Sequence, residues 1–517
     1  MTGIVPKNSP YIFGIDLGTS NSAISVFLKG ESHTIPVEGL MSLPSVVSVL
    51  PTGEFLVGQQ ARRRAIVDPD NTVSSIKREM GNSKTWAFPG KEGKTYTPQD
   101  IAAEILTKLK EGATQAEGFD LRGTPRYVVI CIPANFDDAQ KKATIEAAEL
   151  ANLEVVKLLE EPVAAAIAYA MEKERDQTIL VYDLGGGTFD VSILRVDSTK
   201  NGRSDFKVLA KEGIQLLGGD DFDTKIMEIV ASRFQEKSGI NILDTQKDQG
   251  LSKKVLQAAQ QKLKDAVEKA KRELTESDSA EVELSSFIKD ESGEVHNLVE
   301  SINRSEFEQA IRPLILQSQE AVVKALSAAS LSVDDISRII LVGGSTRVPL
   351  VSAMLTEIFQ KHPYKDINPD TAVSRGAAML AATLSVPETE QQLDETFGIE
   401  NVVTHYLGIE TQGGTFNCLL EKGQEIPADS TLSVSREYFT PRDNMTEIAI
   451  RIYQANESAE YVRDDGSKCI GEFFVKVPPK PKGQERIAVT FEIDQQNLLK
   501  VDALSSTSGN KLEINRG

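Results

Sequence analysis

Two glycine-containing segments of the chain carry residue types that bind phosphate. In each, an aspartate and a leucine precede glycine and threonine: Asp16-Leu17-Gly18-Thr19 and Asp183-Leu184-Gly185-Gly186-Gly187-Thr188. Glycine lets the backbone approach a phosphate closely, and consecutive N–H groups form an anion site. Ser20 and Asn21 extend the first segment with polar side chains. Because the two copies match, the sequence favours one phosphate chain held from two sides over two unrelated turns.

Three aspartates accompany these turns. Asp16 and Asp183 end apolar runs that read as buried strands, and Asp190 follows the second turn. Carboxylates beside bare phosphates would repel them, whereas Mg²⁺ and its waters between the two would make the arrangement favourable. The sequence therefore predicts Mg²⁺ together with a nucleotide.

Two further patterns carry a weaker signal. Gly343-Gly344-Ser345-Thr346-Arg347 follows a short apolar strand and precedes a helix, and helix N-termini bind anions. Glu268, Lys271, Arg272 and Thr275 share one face of a predicted helix. Spacing alone favours an exposed polar surface for that face.

The elements around these residues repeat. Residues 12–28 and 179–196 both read strand, tight turn, strand, which predicts two lobes of related topology. Strands and helices alternate between and after the two hairpins, which indicates α/β lobes. After residue 382 the pattern changes: 385–395 is polar and acidic, and beyond Leu407 period-two strands replace helices. We expect a nucleotide-binding domain over 10–384, a linker over 385–403 and a β-sandwich over 404–517.

Composition restricts the possible functions. Lys and Arg number 57 against 76 Asp and Glu, so the net charge is −19, which argues against a nucleic-acid partner. The three cysteines and four histidines are scattered, which disfavours a Cys/His metal site and suggests a reducing compartment. Residues 1–10 lack the apolar core of a signal peptide, and no apolar run would span a bilayer. We expect a cytoplasmic location without membrane attachment.

The residues quoted so far, with several others in the same order, resemble the seventy-kilodalton heat-shock chaperones of the DnaK type. The resemblance extends from Ile12 to about Ile514. Its motifs include the following segments: 15–22, 71–72, 75–78, 132–134, 161–166, 181–193, 217–223, 341–347, 368–370 and 407–411. It implies an α/β, two-lobed, actin-like ATPase domain followed by an all-β sandwich that binds extended peptides.

The resemblance also implies roles for individual residues. Lys77, Glu161, Thr188 and Asp183 correspond to catalytic positions, and Asp16, Asp183 and Asp190 to the carboxylates around hydrated Mg²⁺. The implied cofactors are ATP or ADP, Mg²⁺ and K⁺. The positions that correspond to nucleotide-binding residues are Gly18, Thr19, Ser20, Asn21, Gly185, Gly186, Gly187, Gly218, Gly219, Glu268, Lys271, Arg272, Thr275, Gly343, Gly344, Ser345, Arg347 and Asp370.

In the sandwich, the implied peptide-binding positions are Ile409, Gln412, Val434, Ile448 and Ile450. Apolar residues at period two are equally consistent with ordinary sandwich core. The implied partners are unfolded polypeptides, a J-domain co-chaperone and a nucleotide exchange factor, with ATP hydrolysis controlling the sandwich and a slow turnover.

The chain also departs from the family pattern. The sequence ends soon after the last predicted strand, so we expect a short member without the helical lid. Residues 397–403 replace the family's apolar linker, and Lys141 and Lys157 replace two arginines of interdomain signalling. Lysine lacks the planar, bidentate geometry of arginine.

Two alternatives remain open at this point. The chain is consistent with a regulatory homologue that binds ATP without hydrolysis and serves another chaperone as a scaffold or exchange factor. It also shares its two phosphate hairpins with sugar kinases, although the all-β C-terminal region and the absence of a recognisable Asp-rich sugar loop disfavour that class.

Overall fold

A computed structural model describes most of the chain. The described residues are 8–91, 93–170, 176–198, 203–246, 250–290, 292–364, 368–384, 396–427, 430–494, 497–505, 507 and 514–516. Within them, no helix combines the length and the apolar character that a membrane crossing requires.

The first half of the α/β region is built on one six-stranded sheet. Its elements are β1 Ile12–Asp16, β2 Asn21–Leu28, β3 Glu31–Ile35, β4 Leu43–Pro44, β5 Val46–Val49, β6 Phe55–Val57, α1 Gln59–Arg64, β7 Thr72–Ser74, β8 Trp86–Ala87, β9 Thr95–Tyr96, α2 Pro98–Thr114, β10 Tyr127–Ile132, α3 Asp138–Leu150, β11 Glu154–Glu160 and α4 Glu161–Ala170. The sheet order is β11-β10-β1-β2-β3, with β4 on β2. Strand β10 is buried at every position, as its continuous apolar run predicts.

The second half contains another six-stranded sheet and the longest helices. Its elements are β12 Gln177–Leu184, β13 Phe189–Ser198, β14 Arg203–Ile214, α5 Gly219–Ser238, α6 Lys253–Glu273, β15 Ser279–Lys289, β16 Val295–Asn303, α7 Arg304–Ala328, β17 Arg338–Val342, α8 Pro349–Phe359, α9 Ala372–Ala381 and β18 Thr396–Val402. Helix α6 buries one stripe at helical spacing and begins after Ser252, whose side chain accepts the N–H of Val255.

The predicted repeat is present in the strand pairing. In the first half β1 pairs with β2 antiparallel and with β10 parallel. In the second half β12 pairs with β13 antiparallel and with β17 parallel. The two glycine turns therefore occupy the same place, between the first two strands of equivalent sheets.

One apolar cluster belongs to both halves. It joins residues of both sheets, such as Val129 and Val181, with the small side chains of α4 and α9. The two helices touch backbone to backbone, because a Cβ on Gly376 would lie 1.8 Å from the Ala164 carbonyl oxygen. The two halves thus share a core at one end, and the cleft between them opens at the other.

The remaining strands, except β21, form the β-sandwich. All the remaining strands are β19 Tyr406–Thr411, β20 Thr415–Leu420, β21 Glu425–Ile426, β22 Leu432–Phe439, β23 Glu447–Ala455, β24 Ser467–Lys476, β25 Arg486–Ile493, β26 Leu499–Ser505 and β27 Ile514–Arg516. One sheet has the order β20-β19-β23-β24-β27 and the other β22-β25-β26. Alternating side chains of both sheets fill a separate apolar core.

The predicted linker has structure in its described part. Residues 385–395 lie outside the described residues, whereas β18 runs parallel to β14 and extends the sheet of the second half. Strand β21 then pairs with β18. The domain limits 10–384 and 404–517 stay predictions.

The sandwich also contacts the first half directly. The Lys141 ammonium, buried in α3, donates to the Asn497 carbonyl at 2.7 Å, and the Leu499 N–H donates to the Asp138 carboxylate at 2.9 Å. Burial lowers the pKa of Lys141 to about 8. Lys468 and Asp137 form an ion pair at 3.1 Å across the same surface.

Candidate nucleotide site

The two glycine turns face each other across the cleft. A Cβ on Gly186 would lie 1.8 Å from the Ser20 hydroxyl, and one on Gly187 would lie 2.6 Å from the Thr19 methyl group. The hydroxyl-bearing turn of the first half therefore packs against the glycines of the second. A side chain at either glycine would collide with the first turn, so glycine is what lets the two turns approach this closely.

A cavity of about 520 Å³ lies between the two halves, within the range that small-molecule ligands occupy. The predicted nucleotide residues that line it are Thr19, Ser20, Asn21, Gly186, Gly219, Glu268, Lys271, Arg272, Thr275, Gly344, Ser345, Arg347 and Asp370. A smaller cavity of about 90 Å³ lies deeper and shares several of these residues. The remaining predicted residues that line it are Asp16, Gly18, Lys77, Glu161, Asp183, Gly185, Thr188 and Gly343. The structure thus brings together residues that are hundreds of positions apart in sequence.

Three predicted residues do not line either cavity but lie directly behind it. Gly218 packs on the second turn, because a Cβ there would be 2.5 Å from the Gly186 carbonyl carbon. Gly187 contacts Thr19, as described above. Asp190 is the strand partner of Asp183 and accepts a hydrogen bond from the Asn135 side chain at 2.9 Å.

Spacing alone favoured an exposed surface for four residues, of which Glu268, Lys271 and Arg272 lie on α6 and Thr275 lies in the turn that follows it. Lys271 forms an ion pair with Asp223 at 2.8 Å and donates to the Gly219 carbonyl at 2.9 Å. Arg272 donates to Glu268 at 2.7 Å. All four residues line the outer cavity. The Arg272 side chain is also 64% exposed, so this surface faces both the cavity and solvent.

Opposite α6, the Gly343–Arg347 segment closes the cavity. The Ser345 hydroxyl donates to the Gly185 carbonyl at 2.8 Å, which fastens this segment to the second turn. Arg347 donates to the Asp370 carboxylate at 2.8 Å. Gly343 has a φ of 82°, and a Cβ there would lie 2.3 Å from the Leu184 carbonyl oxygen. A side chain at this position would displace the turn that carries Gly185.

The deep end of the cleft concentrates buried charge. Lys77 and Glu161 form a buried ion pair. Burial and the charge of Glu161 raise the pKa of Asp16 to about 7, and the same two causes raise the pKa of Asp190 to about 7. Burial, followed by Glu161, raises the pKa of Asp183 well above its ordinary value. Burial alone would lower the pKa of Lys77, but Glu161 and Asp16 outweigh it and raise that pKa.

These groups carry more negative than positive charge. One ammonium faces three aspartates and a glutamate, and oxygen ligands of this kind suit a hard divalent cation. A cation there would stabilise the ionised carboxylates of Asp16 and Asp190, whose pKa values burial and the charge of Glu161 raise. The donor set, together with the glycines and hydroxyls of the two turns, therefore fits Mg²⁺ and a phosphate chain.

The sequence did not predict several contacts of the site. Arg62 pairs with Glu268 across the outer mouth of the cleft. Arg78 donates to the Gly187 carbonyl at 2.6 Å and to Asp221 at 3.0 Å, and Ser75 donates to Asp220 at 3.0 Å. Ser75 and Arg78 stand in a motif of the resemblance, which was the signal available for them. Arg62 gave no signal beyond a run of three arginines.

The sandwich residues differ in accessibility. Ile409 and Ile450 are buried in the core of the sandwich, whereas Val434 and Ile448 are half-buried and pack against it. Gln412 is exposed beside the Gly413-Gly414 turn between β19 and β20. Among these five residues, Gln412, Val434 and Ile448 therefore offer the accessible surface.

Comparison with known protein families identifies the chain. The family model described as Hsp70 protein matches residues 12–90 and 82–516, which is nearly the whole chain. The chain belongs to the Hsp70 protein family. Members of this family are chaperones that generally hydrolyse ATP and bind ATP or ADP with Mg²⁺. The two α/β halves are accordingly the actin-like ATPase lobes, and the all-β region is the family's β-sandwich.

Proposed function

We propose that this Hsp70-family protein is an ATP-hydrolysing chaperone in which hydrolysis between the two lobes controls peptide binding by the β-sandwich. The observation that carries the proposal is the buried Lys77–Glu161 pair, placed beside the cavity between the two turns. The aspartates around it are the buried Asp183 and Asp190 and the half-buried Asp16. The family match supports a chaperone and disfavours a sugar kinase.

The residues of the deep cleft have separate tasks in this proposal. Asp16, Asp183 and Asp190 would hold Mg²⁺ and its waters, and the ion when bound would offset charge on the phosphate oxygens. Lys77 stays protonated because its pKa is raised, so it contributes a fixed positive charge where negative charge develops on the transferred phosphoryl group. Glu161 holds the ammonium in place and can accept a hydrogen bond from an attacking water.

The turns and the outer cavity determine binding. Backbone amides of residues 18–20 and 185–188, with the hydroxyls of Thr19, Ser20 and Thr188, would hold the phosphates. The Glu268-to-Thr275 face and the Ser345–Arg347 segment would hold the nucleoside. These two surfaces belong to the second lobe. Arg62 belongs to the first lobe, lines the same cavity and pairs with Glu268. A nucleotide bound in the cavity would therefore contact both lobes and favour the closed cleft.

Single-turnover ATP hydrolysis by the wild type, Lys77→Ala and Glu161→Gln tests the proposal. We expect both substitutions to lower the hydrolysis rate by roughly 10²–10³-fold at saturating ATP, as loss of a preorganised electrostatic group does. Lys84→Ala removes a lysine that is half exposed and outside the cleft, and it should leave the rate unchanged. Equal rates for the wild type and Lys77→Ala would remove Lys77 from the reaction.

Peptide binding requires its own test. Binding of a labelled, extended apolar peptide should weaken about fivefold in Ile448→Ser, because a half-buried apolar contact is lost. Leu504→Ser changes an exposed leucine of the other sheet and is the matched control. ATP should accelerate release of the peptide from the wild type. Release that is insensitive to ATP would separate the sandwich from the ATPase cycle.

A second candidate function is a regulatory homologue that retains ATP and serves as a scaffold. The observation that favours it is a buried network at the joint between the linker strand and the lobes. Lys211 and Glu160 form an ion pair at 2.7 Å with both side chains almost fully buried, and both bond the Asn401 side chain. Separating β18 from β14 would leave this buried pair without Asn401, at a cost that favours the docked state.

Turnover distinguishes the two candidates. An unfolded client together with a J-domain protein should stimulate steady-state hydrolysis by an active chaperone. Retention of one ATP per chain without turnover, in the presence of both, would instead support the scaffold.

A further inference from the structure

Ser75 has an unusual backbone conformation immediately before the catalytic lysine. It lies between β7 and the short 3₁₀ turn Ile76–Glu79 that contains Lys77, and its φ and ψ are 56° and 33°. This left-handed region is disfavoured for residues other than glycine, and serine does not share the tolerance of asparagine or aspartate. Something other than local preference must hold Ser75 in place.

The side chain of Ser75 bonds the opposite lobe. Its hydroxyl donates to the Asp220 carboxylate at 3.0 Å. Asp220 lies in the first turn of α5, and its own N–H donates to the Gly186 carbonyl at 2.8 Å. The hydroxyl of Ser75 is therefore connected, through one residue, to the second phosphate turn.

The same 3₁₀ turn has two further anchors. Ile76 is buried in the core of the first lobe, and Arg78 donates to Gly187 and Asp221 of the second lobe. Lys77 lies between these anchors. With Ser75 held on one side and Arg78 on the other, the direction of the Lys77 side chain depends on contact with the second lobe.

We propose that Ser75 is a positioning residue that links closure of the cleft to the placement of Lys77. Opening the cleft separates Ser75 from Asp220 and frees the disfavoured backbone to relax, which withdraws Lys77 from Glu161 and from the phosphate site. The inference rests on the proposed function, because it assumes that Lys77 promotes ATP hydrolysis. It adds a device by which hydrolysis proceeds only in the closed state.

Four variants test the link: Ser75→Ala, Ser75→Gly, Asp220→Ala and the double variant Ser75→Ala/Asp220→Ala. Each single variant that removes the Ser75–Asp220 hydrogen bond should lower the single-turnover rate about tenfold at saturating ATP. The acceptor of this bond is charged, and the bond forms only in the closed state. The ATP dissociation constant should change less than about threefold in Ser75→Ala. Because the two side chains act through one bond, the double variant should be no slower than the slower single variant.

The alanine and glycine variants separate positioning from stability. Both lack the hydroxyl, but glycine adopts the left-handed conformation freely whereas alanine does not. We expect Ser75→Gly to melt at a higher temperature than Ser75→Ala and yet to hydrolyse ATP as slowly or more slowly. If the more stable of the two variants also hydrolysed ATP faster, the role of Ser75 would be structural only.

Ser330 is the matched control, since it is an exposed serine with nearly the same φ, 54°, in the turn after α7. Ser330→Ala should hydrolyse ATP at the wild-type rate. A Ser75→Ala rate within twofold of the wild type would overturn the proposal, as would a loss confined to ATP affinity. A wild type that does not hydrolyse ATP would contradict the proposed function itself, so the two failures are distinguishable.

Discussion

The two halves of the nucleotide cleft are built on the same strand arrangement but contribute different chemistry. Both place an aspartate near the end of the first strand of a hairpin, Asp16 in β1 and Asp183 in β12, and a glycine turn follows. The first turn adds the hydroxyls of Thr19 and Ser20, and the first lobe adds Lys77 and Glu161. The second turn is mostly glycine, and its lobe adds the α6 face that lines the outer cavity. The scaffold repeats because strand pairing is generic, whereas the inserted segments differ.

The difference extends to the equivalent glycines of the two turns. A Cβ on Gly18 would lie 2.1 Å from the Asn21 carbonyl oxygen, and backbone would have to shift to accommodate it. The nearest atom to a Cβ on Gly185 would be the Thr188 carbonyl oxygen at 3.7 Å, an ordinary contact. The repeat in sequence therefore conceals a difference in available space.

The largest expected effect follows from this difference. Gly18→Ala should weaken ATP binding by about 100-fold, because it distorts the turn that faces the phosphates. Gly185→Ala is its matched partner in the second half and should weaken binding only a few-fold. Equilibrium titration with a fluorescent ATP analogue measures both. Equal losses would mean that the two turns respond alike and that the space around each glycine does not decide the affinity.

A smaller effect concerns protons and compares Asp16 of the first half with Asp190 of the second. Both have a pKa of about 7, so below that pH both bind protons that Mg²⁺ must displace. Affinity for Mg-nucleotide should rise about tenfold or more between pH 6 and pH 8, with proton release on binding at pH 6. Calorimetry in two buffers, corrected for protonation of the nucleotide, measures this release. Binding without proton release would contradict the raised pKa values.

The same shifts predict how stability changes with pH. The ordinary pKa of an aspartate is 3.8, and that of Asp16 is about 7 in the folded protein without metal. Between these values the folded state binds more protons than the unfolded state, so the free energy of unfolding falls as pH rises from about 4 to 7. Above pH 7 this contribution is constant. Thermal unfolding with and without Mg-ATP should show the slope only in the metal-free protein.

The smallest expected effect lies at the outer mouth, where the two halves meet through Arg62 and Glu268. Arg62→Ala should accelerate ATP dissociation about fivefold, as loss of a partly exposed ion pair does, and less so at high salt. Arg63→Ala alters the next, exposed arginine of α1 and is the control. Stopped-flow release measures both rates. Identical ATP dissociation rates for Arg62→Ala and Arg63→Ala would show that the lobes separate without breaking the Arg62–Glu268 pair.

The sequence predicted the main elements and most of the residues that line the candidate nucleotide cavities. Strand β10 and helix α6 follow directly from an apolar run and a helical stripe, and the paired turns follow from glycine and aspartate types. Such features depend on local chemistry, which a sequence displays. The family resemblance then assigned residues such as Lys271, whose spacing alone pointed to solvent.

Contacts between distant segments could not be predicted in the same way. Ser75 and Asp220 are 145 positions apart, and Arg62 and Glu268 are 206 apart, with no periodic pattern that joins them. The addition of β18 to the second-lobe sheet was also invisible, because nothing in the sequence marks its pairing with the distant strand β14. In the sandwich, the alternation of apolar and polar residues identified the apolar positions. It did not show that Ile450 is buried whereas Ile448 is half-buried.

The apolar cluster shared by both lobes has a thermodynamic consequence. Because Val129 of one sheet and Val181 of the other pack into the same core with α4 and α9, neither lobe can lose its structure without exposing the other. The ATPase region should therefore unfold as a single cooperative unit, with one calorimetric transition. The sandwich has its own core and should add a second unfolding transition. The midpoint temperatures of the two transitions should approach each other only if contacts between the sandwich and the ATPase region stabilise both.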